Sequence, residues 1–303
     1  MNPEEEEFKQ AEEIVLQSAL DFGDTDICLN QIPLDSIFRH RSDFFILQEV
    51  SIECNAKSRK DIELENELPS NAFLNLKVKS FIKPENYGTG WKIWDASIAL
   101  CQWMIENKNV FIGKQVLEIG AGCGGLISIC ASMLAAKVVI TDKEEHLLQN
   151  NEENFLMNGA NAELFQPFLG VSAGLSEIHF VCLDWNQTEK TKSLPETYTE
   201  AFDIILGCEV MYDAVSPQSL TAVICFHLKK QGGKVFLISP KFDRGFDVAE
   251  LVNSLTQHNL TYSYSEIPNP QYKDDTSSAL LDINGDQDFA LHCFSSTCSF
   301  VEC

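Results

Sequence analysis

Residues 116–125 read VLEIGAGCGG, and this stretch decides the fold of the chain. A short apolar run carries an acidic residue near its end, Glu118, and is followed by a loop rich in glycine. The glycines are Gly120, Gly122, Gly124 and Gly125. Glycine lets the backbone turn sharply and approach a ligand where a Cβ atom would clash, and a following helix points free N–H groups at that ligand. The stretch therefore predicts a strand, a ligand-binding loop and a helix.

Helix and strand signals alternate from Trp94 onward, which predicts an α/β sheet. Helices are predicted at about 96–107, 126–135, 150–157, 217–229 and 247–258. Strands are predicted at 115–118, 137–142, 179–185, 202–210 and 234–239. The runs TYSYSEI and FALHCFS, at 261–267 and 289–295, are predicted to form a closing antiparallel pair.

The first part of the chain has a different pattern. Residues 1 to about 20 form an acidic tail that runs into an amphipathic helix, and strand-like runs follow at 44–54 and 73–82. The sequence therefore predicts an N-terminal acidic helix and β extension over 1–83, followed by the main domain over 84–303.

The charge of the chain limits its partners. It carries 22 basic and 45 acidic residues, a formal net charge of −23. This charge repels a phosphate backbone and argues against direct nucleic-acid binding. It favours a basic protein partner, or alternatively serves only as a solubilising surface.

Cysteine usage and the N-terminus indicate the compartment. The 11 cysteines are scattered, without disulfide-scaffold spacing and without a paired CxxC, so we expect reduced thiols and no metal site. The N-terminus is acidic where a signal peptide is basic, and no apolar run approaches the roughly 18 residues of a membrane span. A protein of the cytoplasm or nucleus, with no membrane association, is predicted.

Two cofactor fingerprints overlap in the glycine loop. Gly120, Gly122 and Gly125 satisfy GxGxxG, the pattern of nicotinamide and flavin dinucleotide sites. Glu118 with Gly120, Gly122 and Gly124 satisfies ExGxGxG as well. The loop by itself leaves the cofactor open.

The next strand ends in Asp142, about twenty residues after the glycines. A carboxylate there can accept hydrogen bonds from both hydroxyls of a ribose, which either cofactor contains. Asp142 is alternatively an N-cap of the helix that follows. Further along, Asp184 and Trp185 come at a strand end, where an acceptor can hold an adenine amino group and an indole can cover the adenine face.

Five motifs occur in order: GxxxWDAS at 90–97, VLEIGAGCG at 116–124, TD at 141–142, LDW at 183–185 and FDIILGCEVMY at 202–212. Together they resemble family 16 of the class I, or seven-β-strand, S-adenosylmethionine-dependent methyltransferases, which are mostly protein lysine methyltransferases. The resemblance covers about residue 81 to the C-terminus. It implies a seven-stranded Rossmann-like sheet with helices on both faces, and S-adenosyl-L-methionine as the cofactor.

The resemblance also implies a set of cofactor-binding residues. Trp94 is expected to border the cofactor, and Glu118 to orient the loop and the cofactor's ammonium end. Gly125 is expected to pack a helix and not to contact a pyrophosphate. Trp94 and Trp185 are alternatively core aromatic residues. The expected cofactor-binding set is Trp94, Glu118, Gly120, Gly122, Gly124, Asp142, Asp184, Trp185 and Cys208.

After the fourth strand, the family has an acidic residue, two variable residues and a tyrosine. The segment from Glu209 to Tyr212 corresponds to this pattern. A lysine amine, with an ordinary pKa of about 10.4, must lose its proton before it attacks a methyl group. The Glu209 carboxylate can attract and orient that amine, and Tyr212 can shape its channel. Aspartate is the usual acid here. Alternatively, Glu209 only ends a strand and Tyr212 only packs.

The predicted function is methylation of a lysine side chain in a protein, with a histidine side chain or a small molecule as the alternative acceptor. An NAD(P)-dependent oxidoreductase, based on GxGxxG, and a catalytically silent interaction module are the other hypotheses. The predicted partner is a protein substrate with an exposed basic segment, and the chain is expected to be a monomer.

Overall fold

The glycine loop follows an inner strand of a mixed sheet in the computed structural model of the chain. The structure describes residues 45–55, 71–81, 89–135, 137–169, 176–186, 198–241, 245–269 and 288–296. Contacts between Cα atoms group the chain into two units, Met1–Ile46 and Leu47–Cys303, and the main sheet and its helices lie in the second. No helix within the described ranges is long and apolar enough to cross a membrane.

Seven strands form the main sheet. They are β3 (Gln115–Ile119), β4 (Lys137–Asp142), β5 (Glu177–Cys182), β6 (Ile204–Cys208), β7 (Lys234–Pro240), β8 (Leu260–Ile267) and β9 (Phe289–Ser296). Their order across the sheet is β5-β4-β3-β6-β7-β9-β8. The pairs among β3 to β7 are parallel, whereas β9 runs antiparallel between β7 and β8. The predicted closing antiparallel pair is confirmed.

Helices cover both faces of this sheet. The helices are α1 (Asp95–Glu106), α2 (Leu126–Ser132), α3 (Glu145–Leu169), α4 (Pro217–His227) and α5 (Val248–Gln257). Successive strand residues point to opposite faces. Along β6, Ile204 and Leu206 belong to a buried cluster with α1 and α2, and Ile205 belongs to a second cluster with α4 and α5. The predicted α/β fold with helices on both faces is therefore confirmed.

The sheet topology places the site. The β3 strand pairs with β4 on one side and with β6 on the other, so the strand order reverses at β3. At such a point, the loops that follow two neighbouring parallel strands turn to opposite sides of the sheet. They leave a crevice at the carboxyl ends of the strands. The glycine loop after β3 lies at this crevice.

Some element ends differ from the sequence prediction. The helix predicted over 150–157 runs from Glu145 to Leu169. The strand predicted to reach residue 185 ends at Cys182, and the strand predicted to reach residue 210 ends at Cys208. Asp184 and Glu209 therefore lie in loops just beyond the strands, where side chains can turn into a crevice.

Two further strands, β1 (Phe45–Asn55) and β2 (Asn71–Phe81), form a separate two-stranded sheet. This sheet agrees with the strand-like runs of the N-terminal part. The N-terminal helix predicted over residues 1–20 lies outside the described residues, and the domain boundary after residue 83 stays a prediction.

Asparagine amides from α3 pair with the backbone of β2. Asn154 accepts a hydrogen bond from the Lys79 N–H (2.7 Å) and donates one to the Lys79 carbonyl (3.0 Å). Asn158, one helical turn later, does the same for Lys77, at 2.9 and 2.7 Å. Each side-chain amide satisfies a backbone donor and acceptor of the strand, as a neighbouring strand would. The strand is thereby joined to a helix of the main domain.

The same helix face holds the glycine loop. Asn150 donates to the Cys123 carbonyl at 2.6 Å, and Asn154 donates to it at 3.0 Å. Asn154 also approaches the Gly124 carbonyl at 3.2 Å. Asn150 and Asn154 are both almost fully buried. These bonds hold the loop against α3. Moving the loop away from α3 would leave its buried carbonyls without partners, which costs free energy.

We expect Asn154→Ala to lower the free energy of unfolding by about 3 kcal/mol, since it leaves buried backbone groups of β2 and the glycine loop without partners. Glu152→Ala, on the exposed side of α3, is the matched control and should change stability by no more than about 0.5 kcal/mol. Urea unfolding of the three proteins tests this, and equal stability of the two variants would contradict it.

Candidate active site

A cavity of about 510 Å³ opens at the carboxyl edge of β3, β4 and β6. Every residue that the sequence analysis assigned to a site lines it, although these residues come from five separate motifs. The lining includes Trp94, Glu118, Gly120, Gly122, Gly124, Asp142, Asp184, Trp185, Cys208, Glu209 and Tyr212. The fold thus brings the whole predicted set to one place.

The glycine loop forms the floor of the cavity, and three of its glycines, Gly120, Gly122 and Gly125, have a left-handed backbone. Gly120 and Gly122 have φ angles of +66° and +62°. A Cβ atom at Gly120 would lie 2.9 Å from the ring of Trp185, and one at Gly122 would lie 3.3 Å from the Gly90 carbonyl oxygen. Glycine is therefore required at both positions for conformation and for close packing.

Asp142 joins the end of β4 to the glycine loop. Its Oδ2 accepts a hydrogen bond from the Gly122 N–H at 2.9 Å, and its Oδ1 accepts one from the Glu144 N–H at 3.1 Å. Burial raises the pKa of the Asp142 carboxyl, and these backbone donors oppose the rise. Helix α3 begins only at Glu145, so Asp142 is not the residue directly before it. A carboxylate has about four acceptor positions, so Asp142 can also accept a bond from a ligand hydroxyl.

Glu118 lies beneath the loop and is only 2% exposed. Its carboxylate accepts a hydrogen bond from the Ser128 hydroxyl of α2. Burial raises the pKa of Glu118 to about 7, and the nearby Asp142 charge contributes to the rise while Ser128 opposes it. A buried acid beside a second acid favours a cationic ligand, because a positive charge would stabilise both ionised forms.

Trp185 and Asp184 form one wall beyond β5. The ring of Trp185 packs on Gly120, and its Nε1 is buried with no hydrogen-bond partner among the described residues. A buried donor without a partner is unfavourable unless a ligand or water accepts from it. Asp184 accepts a bond from the Asn186 N–H at 3.0 Å through Oδ1. An indole face beside a carboxylate suits a flat base that carries an amino group.

The segment before α1 forms another part of the cavity wall. Trp94 occupies the N-cap position of α1 with an extended backbone, and its carbonyl accepts from the Ser97 N–H at 2.9 Å and hydroxyl at 2.6 Å. The Lys92 ammonium lies 4.1 Å from the centroid of the Trp94 ring and 5.7 Å from that of Trp91. Trp94 is thus half-buried at the cavity wall and is not a fully enclosed core residue.

Glu209 enters the cavity on a left-handed turn after β6. Its φ angle is +56°, a rare conformation for a residue other than glycine, and its side chain is buried. The Glu209 N–H donates to the Ile238 carbonyl of β7 at 2.9 Å, which fixes the turn. Cys208 precedes it at the strand end, and Tyr212 lines the cavity three residues later. Backbone strain of this kind is typical of functional positions.

The residues present fit a cofactor that contains a ribose, a flat base and a positive charge. The cavity volume is within the range of about 300 to 1,000 Å³ that small ligands occupy. Its lining carries a surplus of carboxylates over ammonium groups. The carboxylates are Glu118, Asp142, Glu144, Asp184 and Glu209, and the lysines are Lys92 and Lys143. Among the described residues, no group of three or more His, Cys, Asp or Glu side chains is arranged to hold a metal ion.

Sequence reasoning missed several residues that support or line the site. Asn151 donates to the Gly122 carbonyl at 2.8 Å and lies where a Cβ atom at Gly125 would clash, at 3.0 Å. The available signal was the series of asparagines in one helix, since asparagine is a poor helix former and such a row needs partners elsewhere. Trp91 and Lys92 also line the cavity within the motif already quoted.

Glu118→Gln should change how stability depends on pH. The pKa of Glu118 is about 7 in the folded protein, against an ordinary 4.5, so the folded state binds more protons than the unfolded state between these values. The stability that protonated Glu118 contributes is complete below about pH 4.5 and is lost as the pH rises through 7. The glutamine variant, which cannot ionise, should therefore exceed wild type at pH 8 by on the order of 3 kcal/mol.

At pH 5 this difference should shrink to less than about 1 kcal/mol. Urea unfolding at both pH values measures it, and Glu152→Gln, an exposed glutamate outside the cavity, serves as the control. A difference between Glu118→Gln and wild type that is the same at both pH values would show that Glu118 titrates normally.

Comparison with known proteins places the chain among methyltransferases. It is 28% identical over 194 residues to the protein-lysine N-methyltransferase EEF2KMT of Mus musculus, covering 63% of this chain and 52% of that one. It is 28% identical to the protein N-lysine methyltransferase METTL21A of Xenopus tropicalis, covering 59% and 73%. It is also 28% identical to the histidine protein methyltransferase 1 homolog of Dictyostelium discoideum, covering 54% and 47%.

The chain spans about half the length of the first of these relatives. The sequence model of a family described as lysine methyltransferase matches residues 75–247. This range includes most of β2, the glycine loop, Asp142, Trp185 and the turn at Glu209. More than half of the chain lies in this match, and so the chain belongs to the lysine methyltransferase family.

Proposed function

We propose that this chain is an S-adenosylmethionine-dependent protein methyltransferase that acts on a lysine side-chain nitrogen. The observation that carries the proposal is that Asp142, Trp185 and Glu209 line one cavity, although they lie at or just beyond the ends of three different strands. Membership of the lysine methyltransferase family and the names of the relatives support it.

The cofactor's adenosine part would lie between Asp142 and Trp185. Asp142 would accept hydrogen bonds from the ribose hydroxyls, and the Trp185 ring would cover the adenine. Trp94 would border the cofactor from the segment before α1. The carboxylates of the lining, Glu118 included, would stabilise its positive charge. When bound, S-adenosylmethionine supplies an activated methyl group on a sulfonium sulfur.

Glu209 and Tyr212 would prepare the acceptor. Methyl transfer needs a nitrogen lone pair aligned with the bond that breaks, so positioning is the main demand on the protein. The buried Glu209 carboxylate would attract a lysine ammonium into the cavity, and would hold the nitrogen by hydrogen bonding after its proton has left. Its rigid left-handed turn would keep that carboxylate in one place.

A histidine acceptor is the second candidate. One relative is named as a histidine protein methyltransferase, and a glutamate in place of the family's more usual aspartate extends the carboxylate by one methylene. An imidazole can present a lone pair at neutral pH without first losing a proton. Identification of the modified residue by mass spectrometry distinguishes the two acceptors.

We also propose that the protein substrate presents a basic segment, because the chain carries a net charge of −23. Opposite charges speed the encounter of two proteins. The monomeric state and the location in the cytoplasm or nucleus both stay predictions from the sequence.

Asp142→Asn should weaken the binding of S-adenosylhomocysteine by about 100-fold, because it removes a charged acceptor for the ribose hydroxyls. Isothermal titration calorimetry measures this, with Glu152→Gln as a control that loses the same charge outside the cavity. Wild type should be stabilised against heat by S-adenosylhomocysteine and not by NADH or NADPH. Stabilisation by a nicotinamide cofactor alone would overturn the proposal.

Glu209→Gln should leave S-adenosylhomocysteine affinity within a few-fold of wild type and reduce methyl transfer to protein by about 100-fold. The assay is incorporation of labelled methyl groups from S-adenosylmethionine into the proteins of a cell extract. Glu200→Gln is the matched control, since Glu200 also has a left-handed backbone, with φ of +49°, and lies outside the cavity. If wild type and Glu209→Gln label the same proteins equally, the catalytic assignment is wrong.

A further inference from the structure

A second cavity, of about 340 Å³, lies beside the first at the same edge of the sheet. It is formed by the ends of β7 and β9, the loop after β6, and the start of α5. Its lining includes Met211, Lys241, Phe246, Asp247, Tyr264 and His292.

The two cavities share a single stretch of chain as their wall. Val210 and Tyr212 line the first cavity, whereas Met211, the residue between them, lines the second. Neighbouring Cα atoms are about 3.8 Å apart, so the two cavities adjoin along this stretch. An extended polypeptide rises about 3.3 Å per residue. A substrate segment with its acceptor residue at Glu209 can therefore place a side chain two or three residues away in the second cavity.

The inner part of the second cavity is apolar. Met211, Phe246 and Ala290 are buried and line this space, and the half-exposed Tyr264 ring lines it as well. Such a surface suits the methylene chain of a long side chain.

The charged side chains that line the second cavity differ in whether an opposite charge offsets them. Lys241 is paired with Glu266 at 2.9 Å, so its charge is offset. His292 accepts or donates a hydrogen bond with the Tyr262 hydroxyl at 3.0 Å, and burial lowers its pKa, which keeps it neutral near pH 7. Asp247 caps α5 by accepting from the Glu250 N–H at 2.8 Å and is exposed. No ion pair joins Asp247 to any residue in the described part of the chain.

A second exposed carboxylate lies near Asp247. Asp213 follows Tyr212, and its side chain packs against Gly245, where a Cβ atom would lie 2.9 Å from the Asp213 Cβ. Gly245 is two residues before Asp247. Within the described residues, Asp213 also lacks an ion-pair partner. Among the described residues, the surface formed by Asp213 and Asp247 therefore carries net negative charge beside the apolar interior of the second cavity.

We propose that the second cavity binds the side chain of an arginine or lysine that flanks the acceptor residue in an extended segment of the protein substrate. The methylene chain would lie on Met211 and Phe246, and the cationic end would meet Asp213 and Asp247. This proposal rests on the proposed function, since it places the acceptor at Glu209. It makes the second cavity a specificity site for the residue two or three positions from the acceptor.

A peptide library tests this proposal. Each peptide carries one central lysine. One other position, between three residues before the lysine and three residues after it, holds arginine, leucine or glutamate. All remaining positions hold neutral residues. Methyl incorporation from labelled S-adenosylmethionine is measured with the full chain. For at least one position two or three residues from the lysine, we expect wild type to methylate the arginine peptide at least five times faster than the leucine peptide.

The double variant Asp213→Asn with Asp247→Asn should reduce this ratio to about one. Asparagine caps a helix as well as aspartate does, so α5 should be retained. Glu152→Gln, which removes a charge outside both cavities, should keep the wild-type ratio. A preference for leucine or glutamate at every position, or an arginine preference that survives the double variant, would overturn the proposal.

Failure of this proposal and failure of the proposed function give different results. If wild type labels proteins of a cell extract and binds S-adenosylhomocysteine but methylates none of the peptides, recognition of an extended basic segment is overturned and the methyltransferase function stands. If neither extract proteins nor peptides are labelled, the proposed function itself fails.

Discussion

The attachment of the glycine loop to helix α3 is the constraint on which the site depends. A loop with three left-handed glycines has many accessible conformations, and the one observed is held by side-chain amides and a carboxylate. Asn150 and Asn154 bond to the Cys123 carbonyl, Asn151 bonds to the Gly122 carbonyl, and Asp142 accepts from the Gly122 N–H. With the loop held on both sides, the Trp185 ring can pack on Gly120 and enclose the cavity.

The same helix face links the site to the β2 strand. Asn154 serves the Lys79 backbone and the glycine loop with one amide, so an element from the N-terminal part of the chain and the cavity floor share a hydrogen-bonded connection. The family match begins at residue 75, within this strand. We therefore regard β2 as structural support for the site, whichever domain boundary proves correct.

Two further positions combine burial with charge or strain in the cavity. Glu118 sits under the loop with its pKa raised to about 7 by burial, and Glu209 holds a buried carboxylate on a left-handed turn. Both arrangements cost stability in the folded protein, and both place negative charge where a cationic cofactor and a cationic acceptor would meet. The separation of these roles, one carboxylate beneath the loop and one beyond β6, follows from the reversal of strand order at β3.

By itself, the sequence determined the alternation of strands and helices, the glycine loop and the candidate site residues from Trp94 to Tyr212, although not Trp91, Lys92 or Asn151. It could do so because these depend on local periodicity, on the conformational freedom of glycine and on the order of short motifs. Only the tertiary structure decided how far α3 extends, how its asparagines bond to β2 and to the loop, and that Met211 faces a second cavity while Tyr212 faces the first. Those features depend on contacts between residues distant in the chain, and local patterns carry no information about which distant groups will meet.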